Sequence, residues 1–253
     1  SCWLFFYFNL CIINAFSTKR YIPKSNLAIF GVTGKTGQCV LNQALSMNKG
    51  VYSLVRPKNK LNIESTDFHT IYKGDVSCFE DVKQVYNGNV ISGTIICLGG
   101  ATSEVGKSML TDGTKNIIQC IKESKLASNR IAIVTSIGAG DSVDEPPLFF
   151  QILMKTVLKD AFIDKNNQEA LFLDDKGIGS GLEFVIVRPS GLTDDYLKKI
   201  CIINKGSGTI PRMSVADFLI NAIYDKTFPY INSAVCITSQ EKETSGEPFV
   251  PKI

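Results

Sequence analysis

The apolar run Leu27-Ala28-Ile29-Phe30 leads directly into Gly31-Val32-Thr33-Gly34-Lys35-Thr36-Gly37. No other stretch narrows the fold as much. Four apolar residues without polar alternation read as a strand buried on both faces, the kind that parallel sheets use. Past the glycines, Val40, Leu41, Ala44, Leu45 and Met47 keep the spacing of one helical face, which predicts a helix from about Thr36 to Met47. In a strand–turn–helix unit the three glycines have distinct tasks. Gly31 permits the tight turn, Gly34 lets the main chain approach a pyrophosphate, and Gly37 lets the helix pack near the strand. The pyrophosphate would rest on backbone N–H groups at the positive end of the helix dipole. The unit therefore predicts a dinucleotide site built from Gly31, Thr33, Gly34, Lys35, Thr36 and Gly37.

The rest of the chain repeats the alternation. Strands are expected at 51–55, 68–72, 94–98, 131–135 and 184–187. Helices are expected at 79–86 and 109–124, with one or two more within 146–175. This order predicts an α/β fold, a Rossmann-type doubly wound parallel sheet with helices on both faces. After Pro189 the pattern loosens. Short strands are expected at 200–203 and 235–237. Ser214 is expected to cap a helix running to about Tyr224, with Asp217 closing a variant capping box. The polar tail from Ser239 is expected to be loose. The length of 253 residues suits one such domain, read as 21–253 with a small carboxyl-terminal region that shapes a substrate site.

Charge and composition exclude several functions. The net charge is +3 and no Lys/Arg block stands out, which argues against a nucleic-acid partner. Eight cysteines form no CxxC pair and the chain has one histidine, His69, so no metal site is expected. The thiols, Cys39 beside the glycine turn included, read as inert and reduced. Asp141, Asp144 and Glu145 read as a solvated acidic loop. Residues 1–20 read as a targeting segment. Trp3–Phe8 and Leu10–Ile13 form an apolar run too short for a span, which takes about 20 residues, so no stable transmembrane span is expected in the mature form. No Met or basic stretch precedes the run, so the true start is expected upstream. Asn14-Ala15-Phe16-Ser17-Thr18-Lys19-Arg20 then looks like the junction of a two-part plastid presequence. The alternatives are the secretory pathway or the cytoplasm.

The end of the second predicted strand bears on cofactor choice. Leu54-Val55-Arg56 carries a cation where NAD sites commonly carry a carboxylate for the ribose hydroxyls. A guanidinium there can grip a 2′-phosphate bidentately, which points to NADP(H). Lys35, Lys58 and Lys60 would add positive potential. Asp75, followed by Val76, is placed to hydrogen-bond the adenine amino group. Leu98-Gly99-Gly100 would let the cofactor lie against backbone.

Taken together, these motifs resemble the atypical short-chain dehydrogenase/reductases, in the NAD(P)H-binding group that includes NmrA-like proteins and biliverdin reductase B. The likeness runs from about Leu27 to Tyr224. Besides the glycine turn and Leu54-Val55-Arg56, it rests on Gly74-Asp75-Val76, Val134-Thr135-Ser136, Val187-Arg188-Pro189-Ser190-Gly191-Leu192 and Ile210-Pro211-Arg212-Met213-Ser214-Val215-Ala216-Asp217. The resemblance implies cofactor contacts from Thr135 and Pro189. It also implies a catalytic Ser at Ser136 and a catalytic Lys at Lys165. The Tyr expected four residues before that Lys falls on Ala161, beside Phe162. Neither side chain has an acidic proton. The first reading is an NADPH-dependent reductase of a small acceptor (flavin, quinone or carbonyl). The second is a non-catalytic NADP(H)-sensing protein or photosynthetic-complex assembly factor. The stripe Leu148–Leu158 could form core, a lid over the nicotinamide, or a protein- or membrane-facing patch.

Overall fold

A computed structural model of the chain describes residues 25–57, 64–100, 102–203, 208–239 and 247–249. The targeting segment read at 1–20, and Lys58 and Lys60, lie outside the described residues. In chain order the first half contains β1 (Asn26–Phe30), α1 (Lys35–Ser46), β2 (Gly50–Val55), β3 (His69–Lys73), α2 (Phe79–Tyr86), β4 (Gly93–Ile96), α3 (Thr102–Val105) and α4 (Met109–Glu123). It continues with β5 (Arg130–Val134), α5 (Leu148–Lys155), α6 (Lys159–Leu173), β6 (Glu183–Pro189) and β7 (Gly191–Thr193). Then come β8 (Ile200–Ile203), β9 (Thr209–Pro211), α7 (Arg212–Tyr224), β10 (Ser233–Ser239) and β11 (Glu247–Phe249).

Among the described residues the main sheet has nine strands in the order β11-β8-β10-β6-β5-β4-β1-β2-β3. From β10 to β3 every pairing is parallel, and β8 and β11 add an antiparallel edge. This is the Rossmann-type doubly wound sheet. β1 pairs with β2 on one side and β4 on the other, so the strand order reverses there. Where the order reverses, a crevice opens beyond the carboxyl ends of the strands.

The unbroken apolar run of β1 is explained by cover on both faces. Leu27 and Ile29 pack with Val40, Leu41 and Ala44 of α1 and with Val215, Phe218 and Leu219 of α7. Ala28 and Phe30 point the other way, toward Val82 and Val85 of α2, Ile117 and Ile118 of α4, and Phe172 of α6. The period of two along the strand thus feeds two separate cores.

Two expectations for the carboxyl-terminal region are corrected. Ser214 does not cap a helix. α7 already starts at Arg212 behind Pro211, whose fixed geometry suits a helix entry, and Asp217 closes no capping box. The Ser214 hydroxyl instead accepts from the Lys198 N–H at 2.8 Å and donates to the Lys198 carbonyl at 2.9 Å. The tail is also not wholly loose. β11 pairs with β8, and the Phe249 ring packs 4.6 Å from Phe218 and 5.7 Å from Phe228, centroid to centroid. One aromatic in a polar tail is enough to dock it on an aromatic cluster.

Candidate functional site

At the end of β1, Gly31 has φ +89°, and a Cβ there would overlap the Cys97 carbonyl oxygen just past β4. A Cβ on Gly37 would overlap the Gly31 carbonyl oxygen. Strand end, turn and helix therefore sit too close together for side chains. The Gly34 N–H donates to Gly31 O at 3.0 Å, and α1 follows with Gly34 as N-cap and no side-chain cap. The first-turn N–H groups have no intrahelical partners and suit an anion.

The turn forms one wall of a cavity of about 300 Å³. Gly31, Thr33, Gly34, Arg56, Asp75, Val76, Leu98 and Gly99 line it, together with Leu54, Cys97 and Met109. The segments that follow four strands, β1, β2, β3 and β4, meet here, which the strand order explains. Arg56 is exposed, and among the described residues no carboxylate comes within 4.0 Å of it. The adjoining loop is braced. Asp75 N–H donates to Asp81 Oδ2 at 2.8 Å, and Asn116 Nδ2 donates to the Val76 carbonyl at 2.9 Å. Burial pushes the Cys97 thiol up to about 12, so it stays protonated. An uncapped helix start, a close main-chain approach and an unpaired guanidinium fit a dinucleotide.

The remaining expected residues lie around this cavity or beyond it. Lys35 turns away, and its Nζ pairs with Asp194 Oδ2 at 2.5 Å. Thr36 and Gly37 lie within α1, and Gly100, with φ +148°, follows the lining residue Gly99. Thr135, Ser136 and Pro189 line a second cavity of about 470 Å³ beyond the carboxyl ends of β5 and β6. Its walls are mostly apolar: Ile137, Pro146, Pro147, Phe150 and Leu192. Lys165 on α6 donates to the Thr135 carbonyl at 3.4 Å. Burial lowers its pKa, while Glu169 and Asp164 pull it back up. Phe162, one turn earlier, is buried and packs edge-on against Phe150 at 6.0 Å.

Sequence reasoning missed what holds this second half together. Arg188 on β6 is 3% exposed and faces Glu169 on α6, 1% exposed. Its Nη2 donates to Oε2 at 2.6 Å and its Nε to Oε1 at 3.1 Å. Glu169 Oε1 also accepts from the Thr135 hydroxyl at 2.6 Å. Arg188 Nη1 donates to Asp141 Oδ1 at 2.5 Å, so Asp141 is not merely a solvated loop residue. Burial would ease the proton off Arg188, but the bonds to Glu169 and Asp141 more than compensate and hold it on. The signal was available: a lone Arg closing the apolar run Phe184–Val187 needs a buried partner. Asp164, also buried, accepts from the Leu110 and Thr111 N–H groups at 2.8 and 3.0 Å and so caps α4. That pairing spans 53 positions and leaves no local trace.

His69 is buried on β3 and shares a 2.7 Å hydrogen bond with Ser53, far from Ser136. Among the described residues no cluster of three or more His, Cys, Asp or Glu could hold a metal ion, and no helix is long and apolar enough to cross a membrane.

Comparison with known proteins agrees with this geometry. The NAD(P)H-binding family matches residues 31–226. Among solved structures, the anaerobillin reductase ChuY of Escherichia coli is 19% identical, covers 87% of this chain and 100% of its own, and superposes with a TM-score of 0.68. The Lactococcus lactis oxidoreductase ylbE is 16% identical, covering 85% of this chain and 91% of its own, with a TM-score of 0.68. SP1627 of Streptococcus pneumoniae, described as a candidate NADH-flavin reductase, is 17% identical, covering 85% and 100%, with a TM-score of 0.62. At these identities the neighbours speak for the fold, whereas the match over residues 31–226 settles the family. The chain belongs to the NAD(P)H-binding family.

Proposed function

We propose that the protein is an NADPH-dependent reductase of a small, largely apolar acceptor such as a flavin, a quinone or a carbonyl compound. The observation that carries this reading is the pair of cavities beyond the carboxyl ends of neighbouring strands, one past β1 to β4 and one past β5 and β6. One is built from glycines, Arg56 and Asp75, and the other from apolar groups around Thr135 and Ser136. The names of the neighbours, an anaerobillin reductase and a candidate NADH-flavin reductase, support it.

A bound reduced nicotinamide would supply a hydride. Gly31, Gly34 and the start of α1 would hold the pyrophosphate, Arg56 the 2′-phosphate and Asp75 the adenine. Lys165, beside the Thr135 carbonyl, would hold the ribose, and Ser136 would hydrogen-bond the acceptor. Ala161 and Phe162 offer no proton, so the reading favours acceptors that solvent can protonate, a flavin or quinone before a simple carbonyl. Pro146, Pro147 and Phe150 would keep water from the reacting atoms.

A second reading, a non-catalytic NADP(H)-responsive protein that docks on a partner, has one observation in its favour. Leu148 and Phe149 on α5 are 73% and 74% exposed. Titrating purified protein with NADPH and NADH, then following NADPH absorbance with flavins, quinones and aldehydes, decides between the two. Arg56→Ala should cost NADPH about 1.5–3 kcal/mol of binding, the worth of a charged hydrogen bond, and leave NADH unaffected. An unchanged preference defeats the NADP(H) assignment. Tight NADPH binding without turnover defeats the reductase.

A further inference from the structure

Asp194, just past β7, is shared by two cations from the two halves of the site. Lys35 Nζ from the glycine turn lies 2.5 Å from Oδ2, and Arg212 Nη1 from the start of α7 lies 2.6 Å from Oδ1. One carboxylate cannot neutralise both, so the cluster keeps a surplus positive charge. Arg212 also lines the second cavity and is the one charged side chain among its described lining residues. Its side chain is only 20% exposed, and among the described residues its Nε and Nη2 groups form no hydrogen bond. A guanidinium carries five N–H donors in a fixed fork, so the edge that does not face Asp194 stays open to an acceptor. Lys35 and Arg212 both hold the Asp194 carboxyl below the usual carboxylate range, Lys35 foremost, so it stays ionised and the cluster keeps its geometry.

We propose that the acceptor carries an oxyanion, a phosphate or carboxylate on an otherwise apolar body, and that Arg212 binds that group at the mouth of the second cavity. This rests on the reading that the second cavity holds the acceptor. The surrounding Pro146, Phe150 and Leu192 take the apolar body, and the free edge of the Arg212 fork takes the anion bidentately. Lys35, tied to the same carboxylate, adds its field from the cofactor side. Arg212 thereby selects anionic over neutral acceptors of the same ring structure.

FMN and riboflavin share one ring system and differ by a phosphate, so they form the probe pair. The full chain is first saturated with NADP⁺, which closes the cofactor phosphate sites to FMN. Flavin binding is then read by fluorescence quenching. FMN should bind on the order of 10-fold more tightly than riboflavin, as a charge-assisted contact of this kind supplies. Arg212→Gln should bring the two affinities to within about 2-fold, and Asp194→Asn, which removes the competing carboxylate, should widen the gap instead. Equal affinities in the unsubstituted protein, a preference that survives Arg212→Gln, or binding of neither flavin overturns the proposal. FMN preference without NADPH oxidation upholds it and rejects only the reductase reading.

Discussion

The two halves of the site are built from different materials. Around β1 to β4 the cavity is shaped by main chain: glycines that bring the ends of β1 and β4 and the start of α1 together, and a helix start left uncapped. Around β5 and β6 it is shaped by side chains, with Arg188, Glu169, Asp141 and Thr135 tied across a strand, a helix and a loop. Main-chain recognition suits a ligand whose pyrophosphate never changes. Side-chain scaffolding can be re-cut for a new acceptor while the sheet is kept.

The contrast predicts which changes damage which half. Glu169→Ala should be the most severe. It leaves the buried Arg188 guanidinium with only the exposed Asp141 as a partner and takes the acceptor from the Thr135 hydroxyl, a loss of about 3 kcal/mol in equilibrium unfolding. Glu169→Gln should be milder because it retains hydrogen-bonding capacity. If either variant is as stable as the parent, the second half does not depend on this network. Gly31→Ala should follow, at about 1–3 kcal/mol of backbone strain from the positive φ, with the overlap on Cys97 O added. Its NADPH affinity should fall further than its melting temperature suggests. A variant that binds the cofactor normally would show that the close approach is not needed.

The smallest effect is one of pH and belongs to the first half. Burial holds His69 below its ordinary value of 6.5. Between that lowered value and 6.5 the unfolded chain binds more protons than the folded one, so stability is full above 6.5 and is lost as pH falls through the window. His69 is the only histidine in the chain, so chemical denaturation at a series of pH values should show a decline that His69→Asn abolishes. A variant with an unchanged decline would assign it to carboxylates instead.

The first half was largely legible in the sequence and the second was not. The glycine spacing, the cation at Arg56 and Asp75 after the third strand are local signals. Each follows its strand within a few residues, and the sheet order alone brings them to one crevice. Lys35 is the exception. Its position in the turn suggested a phosphate contact, while its side chain reaches Asp194, 159 positions away. In the second half the partners of Arg188 lie 19 and 47 positions off, and Asp141 looked like an ordinary acidic loop. Phe249 likewise looked like part of a loose tail until Phe218 and Phe228 gave it a place to pack.

By itself the sequence determined the parallel α/β sheet and the place of the glycine turn. Apolar periodicity and glycine's lack of a Cβ act within a few residues and need no distant partner. Only the tertiary structure decided that Arg188 is held by Glu169 and Asp141, that Asp164 caps α4, and that Asp194 joins Lys35 to Arg212. A charge or a polar atom taken from water must be matched wherever the fold brings a partner, and chain separation says nothing about where that is.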